Sequence, residues 1–280
     1  MKAQSLSICV PNMGCNKNCP YCISKFTGAS TPNRLLIERN IAKVVKLAET
    51  ASVSSVILTG KGEPLLNIDD IRYFAGKFSD FPIEVQTNGL VLLEQDDLIK
   101  ELYECDVNVV AFSFDRLSQF DQFKDVISQI KDWGIVVRVT FNVSDSYNFP
   151  ANTRALVLLD FIDACKPAGV NQLSFRNITI PHNYVHSTAS KKAQAAHDWI
   201  RQNTRNGLYR ELVTRLREIN APLIRSLPFG AKVYDVYGIA VTYFDYCLQD
   251  SHTDEDIRSI IFEEDGHAYT AWNSKASILF

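Results

Sequence analysis

SVILTGKGEP, residues 55–64, is the stretch from which the fold is read. Val56, Ile57 and Leu58 form an unbroken apolar run, the pattern of a strand covered on both faces. Gly60, Gly62 and Pro64 then stop it within a few residues. Helical spacing lies on either side. Upstream, Leu35, Ile37, Ile41, Val44, Val45 and Leu47 recur across residues 34–50, and residues 68–78 read as a helix downstream. A buried strand between two such helices is the unit of a parallel sheet with crossover connections.

Working outward, the unit repeats. Strand-like runs fall at residues 5–10, 83–89, 107–114, 135–143 and 170–180, and helical runs at 93–103, 117–133 and 153–165. That makes five strand-then-helix units and a sixth strand. Periodicity does not separate a barrel from an open doubly wound sheet, but the polar residues help. In a barrel, chemistry collects at the carboxyl ends of the strands. Here the cysteines follow the first strand and GKGEP the second. TNG follows the third strand, SFD ends the fourth, Asn142 lies in the fifth and Arg176 in the sixth. The expectation is an α/β fold: a partial (β/α)6 TIM-type barrel over residues 1–181. Residues 182–280 are expected as a helical plus β extension that packs on or caps it. In that extension residues 189–219 are helical with a break near 206–207. YGIAVTYF, IRSIIF and AYTAW read as strands, and EEDG as a tight turn between the last two.

Composition sets the outer limits. The chain has 280 residues, 46% hydrophobic and 22% charged, with a net charge of −3. A sizeable core needs no metal or disulfide staple at this length. The charge balance excludes a global basic field for nucleic acid. No apolar run is long enough for a bilayer, and the first 14 residues do not read as a secretory signal. The expected compartment is the cytosol, where disulfides are rare. Of the seven cysteines, Cys9, Cys105, Cys165 and Cys247 are scattered and read as inert thiols.

The other three stand in GCNKNCPYC, at Cys15, Cys19 and Cys22. A structural zinc usually takes four protein ligands in two pairs, and no second pair follows. A redox dithiol of Cys19 and Cys22 leaves Cys15 idle. Three thiolates can also hold an iron–sulfur cubane, which four normally close, so that one iron keeps an open position. Polar Asn16, Lys17 and Asn18 give the loop reach and Pro20 stiffens its last turn.

C-x-x-x-C-x-x-C directly after a first strand, with TGKGEPLL after the second, resembles the radical S-adenosylmethionine (radical SAM) enzymes over roughly the first 180 residues. The resemblance implies that Cys15, Cys19 and Cys22 bind one [4Fe–4S] cluster. Its fourth iron would be chelated by the amino and carboxylate groups of S-adenosylmethionine (SAM). An electron, from a donor such as flavodoxin or ferredoxin, would cleave the sulfonium bond. The 5′-deoxyadenosyl radical formed would take hydrogen from a substrate. Gly60, Gly62, Glu63 and Pro64 match the family's Gly-Gly-Glu-type motif, with Lys61 inserted. Glycines admit close backbone approach to the methionyl ammonium, and Glu63 complements that cation or braces the loop. A lysine at position 61 must point away from it. Tyr21 occupies the adenine-contact position, and Ser113 and Asp115 the ribose and methionyl positions. Thr87 and Asn88 are weaker candidates, since Asn-Gly is also a plain turn. Arg138 and Asn142 share a strand face. If that face is the interior, Arg138 fits the SAM carboxylate, and Arg176 fits SAM or substrate.

Substrate is read only as a class. A small molecule or nucleotide is first, since residues 191–225 carry eight Lys/Arg against three acids and could meet phosphates. A solvated helix face explains the same residues. A peptide paired to an edge strand, or an RNA suggested by the G-x-G-E-P form, are the enzyme alternatives; a metal-binding scaffold is the alternative without catalysis. With Cys247 the sole cysteine after Cys165, one cluster is expected, and Cys247 is a candidate only if a methyl group is transferred. No membrane partner is expected.

Overall fold

The computed structural model describes residues 2–11, 13–28, 30–95, 97–144, 154–181, 184–204, 208–227, 230–244, 256–272 and 274–280. Strands and helices alternate through the first part. They are β1 (Lys2–Cys9), α1 (Ser24–Thr27), α2 (Arg34–Thr50), β2 (Val56–Thr59), α3 (Ile68–Lys77), β3 (Ile83–Thr87), α4 (Leu98–Glu104) and β4 (Val107–Phe114). After these come α5 (Leu117–Gln122), α6 (Lys124–Asp132), β5 (Val136–Val143), α7 (Arg154–Ala168) and β6 (Gln172–Asn177). Two helices follow, α8 (Lys191–Asn203) and α9 (Leu208–Glu218). The remaining strands are β7 (Leu223–Ser226), β8 (Lys232–Val236), β9 (Ile239–Phe244), β10 (Asp256–Phe262) and β11 (Ala268–Tyr269).

All eleven described strands form one sheet in the order β11-β10-β1-β2-β3-β4-β5-β6-β9-β8-β7. β1 to β6 are mutually parallel neighbours. The order ends at β11 and β7, so this TIM-type barrel is partial rather than closed. β10 adds to β1 and β9 adds to β6, both in parallel, so the late strands lengthen the same sheet at both edges.

Alternation along the strands sends one set of side chains to the helices. Leu6, Ile8, Val56, Leu58, Val85, Val110, Phe112, Phe114, Val137, Val139, Phe141, Leu173 and Phe175 join Ile37, Ile41, Val44 and Ala48 of α2 in one core. Burying each of these phenylalanines stabilises by roughly 1.5–3 kcal/mol. The α2 stripe is the apolar spacing visible in the sequence, and the Asn33 side chain caps it by accepting from Leu36 N–H at 3.1 Å. The opposite sheet face is polar. Ser5 and Ser7 meet Ser259, and Thr59 donates to Gln86, which donates to Glu84.

Two expected helices are shorter than their apolar spacing. The run 117–133 divides at Phe123, whose ring is buried against Phe112 and Phe114 at 5.8 and 5.0 Å. The run 93–103 begins only at Leu98. Gly89, at φ 81°, first starts a 3₁₀ turn over Leu90–Leu93 that buries Val91 and Leu92. The expected break at 206–207, Cys247 and residues 182–183 lie outside the described residues. Cys9 and Cys165 are buried and Cys105 is half-buried, and burial is the first cause that pushes each of these thiols up. Among the described residues, no helix is long and apolar enough to cross a membrane.

Candidate active site

The loop between β1 and α1 carries Cys15, Cys19 and Cys22 as free thiols, Cys15 exposed and the other two half-buried. Its path is fixed from the ends of three neighbouring strands. Glu63 N–H donates to the Gly14 carbonyl at 2.9 Å, where Gly14 takes a left-handed φ of 105°. Asn88 Nδ2 donates to Asn16 Oδ1 at 2.8 Å and lies 3.9 Å from Cys15 Sγ. Tyr21 donates its hydroxyl to Asp115, and Lys17 lies 3.9 Å from the same carboxylate. From within the segment, Lys25 Nζ donates to the Cys19 carbonyl at 2.6 Å.

Burial is the first cause that pushes the Cys19 thiol up to about 11. The charge of Asp115 adds to it, as do the other two cysteines. Cys15 is also raised, by burial first, against the Lys17 N–H that donates to its sulfur at 3.4 Å. Thiols raised by desolvation and by one another ionise together once a cation sits among them, since cysteine binds metal as thiolate. Three free thiols on one loop are the soft donor set that iron–sulfur clusters take.

Glu63 is buried, and three donors hold it. Thr87 Oγ1 and Leu65 N–H donate to one oxygen at 2.6 and 3.1 Å, and Asn88 N–H to the other at 2.8 Å. Of the two roles that the sequence allows it, bracing is the one these bonds display. Burial raises its pKa, with the three donors working against the rise. Gly60 permits close passage, since a Cβ there would lie 3.3 Å from the Val10 carbonyl oxygen. Pro64 opens the short 3₁₀ turn after Glu63. Lys61 is engaged elsewhere: it pairs with Glu263 at 2.9 Å, both side chains buried, and donates to Ser30 Oγ at 3.2 Å.

A second cluster gathers Tyr21, Ser113, Asp115 and Asn142. Asn142 Nδ2 lies 2.9 Å from Ser113 Oγ and 3.3 Å from both Asp115 Oδ1 and the Tyr21 hydroxyl. The Tyr21 phenol is raised by burial and then by Asp115, so it stays a proton donor. Arg176 stands beside Asn142 in register, on the same face near the strand ends. Arg138 shares that face four residues earlier, and there Glu84 and Gln172 hold its guanidinium. Neither partner was legible in the sequence, nor was Trp199 of α8, whose ring lies 5.4 Å from that of Tyr21. Beside the site, a cavity of about 480 Å³ is walled by Lys25, Phe26, Lys61, Tyr184, Glu263 and Trp272 among others.

The chain is similar in sequence and in fold to known proteins. The sequence model of the Radical SAM superfamily matches residues 10–184. The 7-carboxy-7-deazaguanine synthase of Clostridium acetobutylicum is 30% identical over 164 residues, covering 53% of this chain and 72% of that protein. The GTP 3′,8-cyclase of the same organism is 31% identical over 124 residues, 41% of this chain and 39% of that one. Among solved structures, Streptococcus suis SuiB bound to its precursor peptide SuiA superposes with a TM-score of 0.58 at 13% identity. That superposition covers 95% of this chain and 59% of SuiB. The same protein bound to S-adenosylmethionine gives the same score.

Proposed function

The chain belongs to the radical SAM superfamily and is an enzyme of that family, and from this we propose how its residues divide the work. Cys15, Cys19 and Cys22 would hold a single [4Fe–4S] cluster, and residues of that loop and of the strand ends would hold SAM. When bound, these groups supply reductive cleavage of the sulfonium bond and a 5′-deoxyadenosyl radical that takes hydrogen from the substrate. The observation that carries the reading is the junction itself. The cysteine loop is hydrogen-bonded to the residues that the family motif would turn toward SAM.

In this reading, Glu63 fixes the GKGEP turn so that its backbone carbonyls face the methionyl ammonium. Asp115 accepts from ribose or ammonium, and Ser113 and Asn142 orient it. Tyr21 places its backbone for adenine, and Asn88 holds the loop at Asn16 and Cys15. Arg176 supplies a cation near the rim for the SAM carboxylate or a substrate anion. Arg138, committed to Glu84, serves the barrel interior and not SAM. The cluster would take its electron from a donor of flavodoxin or ferredoxin type.

The substrate class we propose is an anionic small molecule or nucleotide. The neighbouring cavity supports a small molecule, since about 480 Å³ is the size of such sites, and Lys25 and Lys275 on its wall favour an anion, whereas Lys61 there is already paired with Glu263. The two named relatives are a deazaguanine synthase and a GTP cyclase, which favours the same class. The test is reconstitution with iron and sulfide under strict anaerobiosis, followed by a reductant and SAM. The expected result is about four irons per chain and formation of 5′-deoxyadenosine. Zinc, a cubane closed by four side chains, or no deoxyadenosine with any candidate substrate would refute it.

A further inference from the structure

We propose that His186, His197 and Asp198 form a second metal site, for a divalent transition-metal ion such as zinc, separate from the cysteine loop. His186 lies on the 3₁₀ turn His186–Thr188, and the other two are adjacent on α8. One ligand atom from each lies within 4.8 Å of the other two. Two imidazoles and a carboxylate are the donor set that zinc and its first-row neighbours share.

The surroundings resemble the second layer of a metal centre. The Tyr184 hydroxyl sits 3.1 Å from His186 Nδ1, and Asp198 Oδ1 sits 2.9 Å from His197 Nδ1. The tyrosine hydroxyl thus orients the His186 ring, while on His197 the Asp198 carboxylate already lies against Nδ1, so that two of the proposed ligand atoms converge and a metal between them would replace that hydrogen bond. The Tyr184 ring stacks on that of His197 at 4.9 Å, and the two histidine rings are 5.0 Å apart. A plain aromatic surface cluster would need the stacking, but it would not need the carboxylate to converge on the same point. Three protein ligands leave the fourth tetrahedral position to water or an anion. The open cleft here, about 540 Å³, is also walled by Arg201, a cation suited to an anionic fourth ligand.

The site would do something specific. It would fasten the 186–188 turn to α8, the helix whose Trp199 lies against Tyr21 of the cysteine loop. Tyr184 extends the same contact to α1, since Phe26 meets it edge-on at 5.3 Å. A bound ion would thereby steady the cover over the cluster loop without touching the cysteines.

The experiment uses cluster-loaded enzyme, stripped of loosely held metal and titrated anaerobically with zinc in a calorimeter. Iron content and the cluster absorbance are followed in parallel. One equivalent of zinc is expected with the cluster intact. His186→Ala and His197→Ala should each weaken it at least about tenfold, and Asp198→Asn should weaken it less, with the cluster spectrum unchanged in all three. Equal binding by parent and variants, no saturable binding, or zinc taken up only as iron is lost would each overturn the assignment.

Discussion

At the scale of the residue, Glu63 is a buried carboxylate held by three donors. Glu63→Ala leaves the Thr87 hydroxyl and two backbone N–H groups without their acceptor. Each unsatisfied buried donor costs about 1–3 kcal/mol when water cannot reach it. The variant should lose stability on that order in a denaturant titration and bind SAM more weakly, with iron content unchanged; unchanged SAM affinity removes the residue from the site. Its pKa adds a sign. The folded value is raised by burial above the ordinary 4.5. The folded state therefore holds this proton more tightly, and the stability it contributes is lost as pH rises through the raised value. Glu63→Gln should flatten that decline in the metal-free protein. By contrast, Cys15→Ala, Cys19→Ala or Cys22→Ala should abolish the cluster and leave circular dichroism unchanged, because none of the three is in the core. The cysteines and the GKGEP turn were legible because their chemistry demands residue types at fixed short spacing. The partner of Arg138 was not. Glu84 lies two strands away, and the pairing across β4 depends on register, which local sequence does not carry.

At the scale of elements, the turn between β10 and β11 is bound to the amino-terminal half. Lys61 reaches Glu263 from the β2 loop, Ser30 N–H donates to Glu264, and Asn40 donates to the Gly266 carbonyl at 2.8 Å. Lys61 was legible as a cation out of place in a Gly-Gly-Glu-type motif. Its destination was not, because the acceptor lies 202 positions along the chain (263 − 61). Lys61→Met strands a buried carboxylate and should cost about 3–5 kcal/mol, while Lys61→Met combined with Glu263→Leu should recover most of it. Additive losses in the double variant would show that the two groups are uncoupled. Gly266 gives an independent check of the same docking. It has φ +81°, and an added Cβ would fall 2.8 Å from the Ile37 nitrogen and the Leu36 carbonyl carbon. Gly230, at φ +89°, has open space. Gly266→Ala should therefore destabilise by clearly more than the about 1 kcal/mol that a left-handed alanine alone costs, and Gly230→Ala by no more than that. Equal midpoint shifts would mean that the turn does not sit against α2.

At the scale of the whole molecule, the late strands finish a sheet that the first six strands begin. β1 would be an edge without β10, and β6 an edge without β9. Six register pairs join β1 to β10 and five join β6 to β9. The sequence showed that the tail contains strands, since apolar alternation is local. It could not show which neighbours they choose, because Lys2 pairs with Asp256 only after nearly the whole chain has been laid down. The consequence can be measured. A chain ending at residue 181 keeps the cysteines, GKGEP, Asp115 and Asn142. It also opens two long parallel edges, with buried Leu6, Ile8, Leu173 and Phe175 on the exposed strands. Unpaired edges of that length and apolarity template intermolecular pairing. The shortened chain should aggregate on expression, or sediment as oligomers after refolding, and should not hold a stoichiometric cluster. A monomer with a single cooperative melt and full iron would show that the first six strands are self-sufficient. β9 and β10 would then be additions to a finished barrel rather than the pieces that seal its sides.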